Sequence, residues 1–162
     1  MDTITLLIIA NKIETKIFKV NLIYNRIELV DLILNKKGRL KESELVSDAP
    51  GTSTRSSGGF RNVKNYSREK SASQNILNHY IHAVHHSLQQ LMNDNPQRPF
   101  ILAAEPGLQG KIMKVFKNKK LLPNRIISKE LNHLTDREIL KYSESDIQRI
   151  FPISKEEVIA VH

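Results

Sequence analysis

The residues with the chemistry to act on a ligand fall into a polar stretch, a lysine run and a histidine group. The polar stretch, Glu44 to Arg68, holds Gly58-Gly59 between Arg55 and Arg61, with Lys64 and Arg68 following. Backbone amides at such glycines can face an anion, and the arginines add charge to the same place; the competing reading is a mobile loop that its glycines merely let bend. Asp48-Ala-Pro-Gly51 within it reads as a turn in which Asp48 bonds its own backbone. The lysine run is Lys111, Lys114, Lys117, Lys119 and Lys120, continued by Arg125, with no acid among them. Clustered cations of this kind suit phosphate contacts; the competing reading is a solvated helix face. The histidines are His79, His82, His85 and His86. His82 and His86 stand four apart, as helical metal ligands do, but no Glu follows the first histidine as in the zinc-protease pattern. The competing reading places these imidazoles at the flank of an apolar stripe, and no metal or cofactor is expected.

Other chemistry is excluded by what is missing. There is no Gly-x-Ser-x-Gly elbow and no Gly-x-x-x-x-Gly-Lys-Ser/Thr phosphate loop. Cysteine is absent, which removes disulfides and thiolate metal sites and fits a reducing compartment.

The elements that must carry these residues follow from periodicity. Thr3–Ala10 is a continuous apolar run, as in a strand buried on both faces. Thr15–Ile23 alternates, Ile27–Leu34 returns, and the links between the three are too short for anything but antiparallel neighbours. A functional loop is expected over about 47–70, because apolar period is lost there. Ser71 or Ser73 then caps a helix to about Asn93, with Ile76, Leu77, Tyr80, Ile81, Val84, Leu88 and Leu91 inward. Phe100–Ala104 is a strand, Leu108–Phe116 a helix and Arg125–Ser128 a last strand. Helix 136–142, capped at Thr135, and a separate turn or two over 146–151 complete the order. Right-handed crossovers make the last two strands parallel to the first. The expected class is α/β, with a five-stranded mixed sheet in a ribonuclease H-like three-layer arrangement.

At 162 residues, 40% apolar and 26% charged, the chain is expected to form one domain with a tail over about 152–162. Net charge is +8 and the pI about 9.7. Ile4–Ala10 is too short to span a bilayer and lacks a basic leader, so a cytoplasmic protein is expected. Paired carboxylates for a two-metal nuclease are not evident: the first strand ends at Ala10-Asn11, and Glu105 ends the fourth strand with no obvious partner, Glu69 and Glu130 being the candidates.

Two longer strings carry a family resemblance. Gly38-Arg-Leu-Lys-Glu-Ser-Glu44-Leu-Val-Ser47-Asp48-Ala-Pro50-Gly51, then Gly58-Gly59, resembles the family described as proteins required for attachment to host cells. So does Phe100-Ile-Leu-Ala-Ala-Glu105-Pro106-Gly-Leu-Gln-Gly110-Lys111 and the segment Ile126 to Leu140. The resemblance runs from Leu6 to about Ile147. That family is grouped with bacterial proteins similar to the central domain of archaeo-eukaryotic peptide-release factors, which implies a ribonuclease H-like fold and a ribosome or RNA role. Release factors carry Gly-Gly-Gln, whereas Gly58-Gly59 here is followed by Phe60, so hydrolysis by that mechanism is not implied. Members often have Asp where this chain has Asn11, and an acidic, His-containing segment where it has Tyr66–Ser71.

The function expected from these readings is a non-enzymatic RNA- or ribosome-associated domain. Its candidate contacts are Arg55, Gly58, Gly59, Arg61, Lys64, Arg68, Lys111, Lys114 and Lys117. The alternatives are a hydrolase using Glu105 or the histidine group on an ester or RNA, and a protein-interaction module in host attachment.

Overall fold

The computed structural model describes residues 3–37 and 61–152, the side chains of 61–71 not among them. Five strands form one sheet in the order β3-β2-β1-β4-β5. They are β1 (Ile4–Ala10), β2 (Glu14–Asn21), β3 (Arg26–Leu34), β4 (Phe100–Ala104) and β5 (Arg125–Ile127). The described helices are α1 (Arg61–Leu91), α2 (Pro106–Asn118) and α3 (Asp136–Ile150). β1 pairs antiparallel with β2 and parallel with β4, and β4 pairs parallel with β5. The mixed sheet of three antiparallel and two further parallel strands is therefore as expected.

The apolar run of β1 is explained by its position. Leu6, Ile8 and Ala10 face one core with Phe100, Leu102 and Ala104 of β4, beneath Tyr80, Ile81, Val84 and Leu88 of α1 and Leu108, Ile112 and Phe116 of α2. Leu7 and Ile9 face the opposite core with Ile101, Ala103, Phe18 and Val20, covered by Ile139 and Ile147 of α3. The sheet is thus the middle of three layers, with α1 and α2 on one face and α3 on the other. Each fully buried Leu or Ile contributes about 1.5–3 kcal/mol.

Two helices differ from expectation. α1 begins at Arg61, so 61–70, read as loop, is helical, and Ser71 and Ser73 lie inside the helix and do not cap it. No Gly or Pro occurs between Phe60 and Leu91, so nothing in that segment breaks a helix. α3 is one helix through Ile150, where two pieces were expected. The polar Ser143-Glu-Ser145 does not interrupt it, because the Ser143 hydroxyl donates to the carbonyls of Ile139 (2.9 Å) and Leu140 (3.2 Å). Thr135 caps α3 as expected: its side chain accepts from the Glu138 amide, and the Glu138 carboxylate accepts from the Thr135 amide. Those Thr135 bonds hold the Glu138 carboxyl below its usual value.

One buried hydroxyl pins the helical layer to the sheet. Tyr80 donates to the carbonyl of Asn11 (2.9 Å) at the end of β1, and Thr15 of β2 donates to the Tyr80 oxygen. Burial, with the Glu14 charge adding to it, pushes the phenol up to about 12 against the lowering effect of Thr15. Tyr80→Phe is expected to leave the Asn11 carbonyl and Thr15 hydroxyl without that partner. Urea unfolding should show a loss of about 1–2 kcal/mol.

Candidate functional site

Open α/β sheets bind ligands outside the carboxyl ends of their parallel strands, and here β1, β4 and β5 end together. β1 runs into Asn11, β4 into Glu105 and β5 into Ser128. Asn11 shapes its own turn: its Oδ1 accepts from the amides of Ile13 and Glu14, both at 2.8 Å. Its Nδ2 donates to Glu130 Oε1 at 3.5 Å. The same Glu130 oxygen accepts from the Asn132 amide (2.8 Å), and Oε2 lies 3.3 Å from His133 Nδ1. Asn132, 8% exposed, donates through Nδ2 to the carbonyls of Ile9 and Glu14. Its Oδ1 has no hydrogen-bond partner among the described residues.

Glu130 and Asn132 therefore lock the β5–α3 connection onto the β1–β2 hairpin, and His133 stands against Glu130. Glu105 lies 3.9 Å from Lys12, with 47% of its side chain exposed, and Gln109 accepts from the Ser128 hydroxyl at 2.8 Å. The edge thus offers a carboxylate–imidazole pair whose carboxylate is already engaged. Among the described residues no three of His, Asp and Glu converge to hold a metal ion.

A second surface lies on the helices. α2 buries Leu108, Ile112 and Phe116. At 3.6 residues per turn, Gly107, Gly110, Lys111, Lys114 and Lys117 fall on the opposite face. All are exposed, as are Lys119 and Lys120 beyond the helix end. A Cβ at Gly107 or Gly110 would meet nothing within 4 Å, so that face is open. None of the five lysines pairs with a carboxylate among the described residues. α2 carries three basic residues and no acid, α1 four and one, and α3 three and four. Among the described side chains of the helices, uncompensated positive charge is therefore concentrated on α2. Arg125, counted with the lysine run in sequence, does not join it: it reaches Asp146 of α3 at 3.1 Å.

The histidines stand beside this surface. His79, His82 and His86 are exposed on α1. His85 is 8% exposed, its ring 5.9 Å from that of Phe116 on α2. Burial first, then the charge of Lys119 and of its neighbours His82 and His86, holds the His85 imidazole below its ordinary value.

Of the residues expected to form a site, Lys111, Lys114 and Lys117 share one exposed face, and Pro106 and Gly110 belong to the same helix. Glu105 precedes α2 at its N-cap. Arg61, Lys64 and Arg68 lie on the first turns of α1. Glu44, Ser47, Asp48, Pro50, Gly51, Arg55, Gly58 and Gly59 fall outside the described residues. Sequence reasoning missed the bonds of Glu130 to Asn11 and of Asn132 to the Ile9 and Glu14 carbonyls. The only signal was Glu130 as a possible approach to the strand ends, and 119 residues separate it from Asn11.

The family model described as "Protein required for attachment to host cells" matches residues 6–142. No curated protein matches the chain. Among the described residues no helix is long and apolar enough to cross a membrane.

The lowered His85 proton affinity fixes a direction of pH dependence. The unfolded chain takes up a proton near pH 6.5 and the folded one only below that. The stabilisation from uncharged His85 is present above about pH 6.5 and is lost as pH falls through the lowered value. Urea unfolding at about pH 7.5 and about pH 5 should show wild type losing more stability on acidification than His85→Phe.

Proposed function

The chain belongs to the family of proteins required for attachment to host cells, and from that premise we propose that it is a non-enzymatic RNA- or ribosome-associated protein of the cytoplasm. It grips phosphate along the layer of α1 and α2. The observation that carries this reading is the exposed face of α2, where lysines recur every third residue with no carboxylate against them among the described residues. Phosphate contacts of this sort are sequence-independent and release counterions, so binding weakens steeply with salt. The strand order β3-β2-β1-β4-β5 supports the ribonuclease H-like reading, and with it a likeness to the central domain of peptide-release factors. Phe60 in place of the release-factor glutamine keeps peptidyl-tRNA hydrolysis out of the proposal.

A second reading is a protein-interaction module in attachment. It draws on Leu29, Leu32 and Leu34, which are 44–53% exposed along the edge strand β3. Antibody access to the protein on intact cells would favour it.

The test of the first reading is co-sedimentation with purified ribosomes across a salt series. The comparison is Lys111→Ala/Lys114→Ala/Lys117→Ala, whose lysines lie away from both cores. Wild-type binding should fall steeply with salt. The variant should bind on the order of tenfold more weakly, with a log–log slope shallower by about 2. Binding that ignores both salt and these lysines would overturn the reading.

A further inference from the structure

The lysine face ends against a group of imidazoles; Asp31 of β3 also reaches α1, where it accepts from Ser87, the next residue after His86. His85 is wedged at the seam between α1 and α2, against the ring of Phe116. The charged and titratable groups that act on it are Lys119, at the end of α2, and His82 and His86 of α1 itself. From Lys70 to Asn93 there is no Asp or Glu, and from Pro106 to Lys129 there is none either. Neither His85 nitrogen has a hydrogen-bond partner among the described residues. A proton added to His85 meets the like charge of Lys119, His82 and His86.

A phosphate chain lying on Lys117, Lys119 and Lys120 would change that balance. It would bring negative charge to the seam, where the groups acting on His85 are Lys119, His82 and His86. Opposite charge within a few ångströms favours the protonated imidazole by the same physics that Lys119 now disfavours it. By linkage, a ligand that raises proton affinity binds more tightly where protons are available.

We propose that a polyanion bound on the α2 lysine face extends across the α1–α2 seam to His82, His85 and His86, so that binding takes up protons. This rests on the polyanion reading above and adds to it a location, a proton count and a direction. The ligand covers the C-terminal end of α2 as well as the stripe at Lys111 and Lys114, and affinity rises as pH falls from about 7.5 to about 6.

The experiment is isothermal titration calorimetry with a short poly(U) strand, whose phosphodiesters do not titrate in this range. Each titration is run in two buffers of different ionisation enthalpy, at low salt, at about pH 7.5 and about pH 6. Wild type should take up between about half a proton and two protons per complex and bind several-fold tighter at the lower pH. His82→Gln/His86→Gln leaves the buried His85 ring in place, so it should fold as wild type does. It should lose part of the uptake and part of the pH dependence. His82→Gln/His85→Gln/His86→Gln should lose the remainder. Tight poly(U) binding without proton uptake, or uptake unchanged in the double variant, overturns this inference while leaving the polyanion reading intact. Absence of poly(U) binding at both pH values removes the two together.

Discussion

Everything in this molecule depends on β1 being paired on both edges and buried on both faces. Its antiparallel partner β2 comes directly after it, whereas its parallel partner β4 comes from beyond α1. The side chains from Leu6 to Ala10 are fully buried and are divided residue by residue between two cores. A one-residue slip of β1 would exchange those two sets and unpack both layers of helices at once. The Tyr80 bond to Asn11 and the Asn132 bond to Ile9 both end on backbone at the carboxyl end of this strand. The polar anchors of the two helical faces therefore meet at one place.

That dependence explains what could be read from the chain. An apolar run that does not alternate, followed by two alternating runs with short links, specifies a central strand and its antiparallel neighbours. The register of β1 against β2 follows the alternation in Thr15–Asn21. Helix ends were less legible. Ser71 and Ser73 have the chemistry of caps, but they are also tolerated inside a helix, and only tertiary context decides. Ser143 shows the same ambiguity, resolved by its bonds to the preceding turn. The link from Asn11 through Glu130 to Asn132 and His133 was hidden for another reason. It depends on the path of the loop after β5, and neither periodicity nor local spacing encodes that path.

The two faces of the sheet have separate electrostatic characters. α3 mixes signs and holds Arg125 through Asp146, so its surface is largely self-compensated. α2 carries no acid, and its lysines have no carboxylate partner among the described residues. A linear reading counts Arg125 with those lysines; the fold assigns it to the other side of the sheet. Net charge alone would not distinguish a uniformly basic protein from one with a single basic face, and steering of a polyanion depends on the second. The imidazole seam sharpens the asymmetry, because its buried ring adjoins the uncompensated side.

The order of the strands also has a consequence for synthesis. β1, β2 and β3 are complete once Leu34 has been made, and their contacts are local enough to form early. The partner on the other edge of β1 lies about 90 residues further along the chain, since Ile8 pairs with Leu102. Until then a nascent meander presents one bare edge of the most hydrophobic strand in the protein. Such an edge is a template for any neighbouring chain with a free strand. The arrival of β4 is therefore the event that makes the N-terminal strands safe as well as stable.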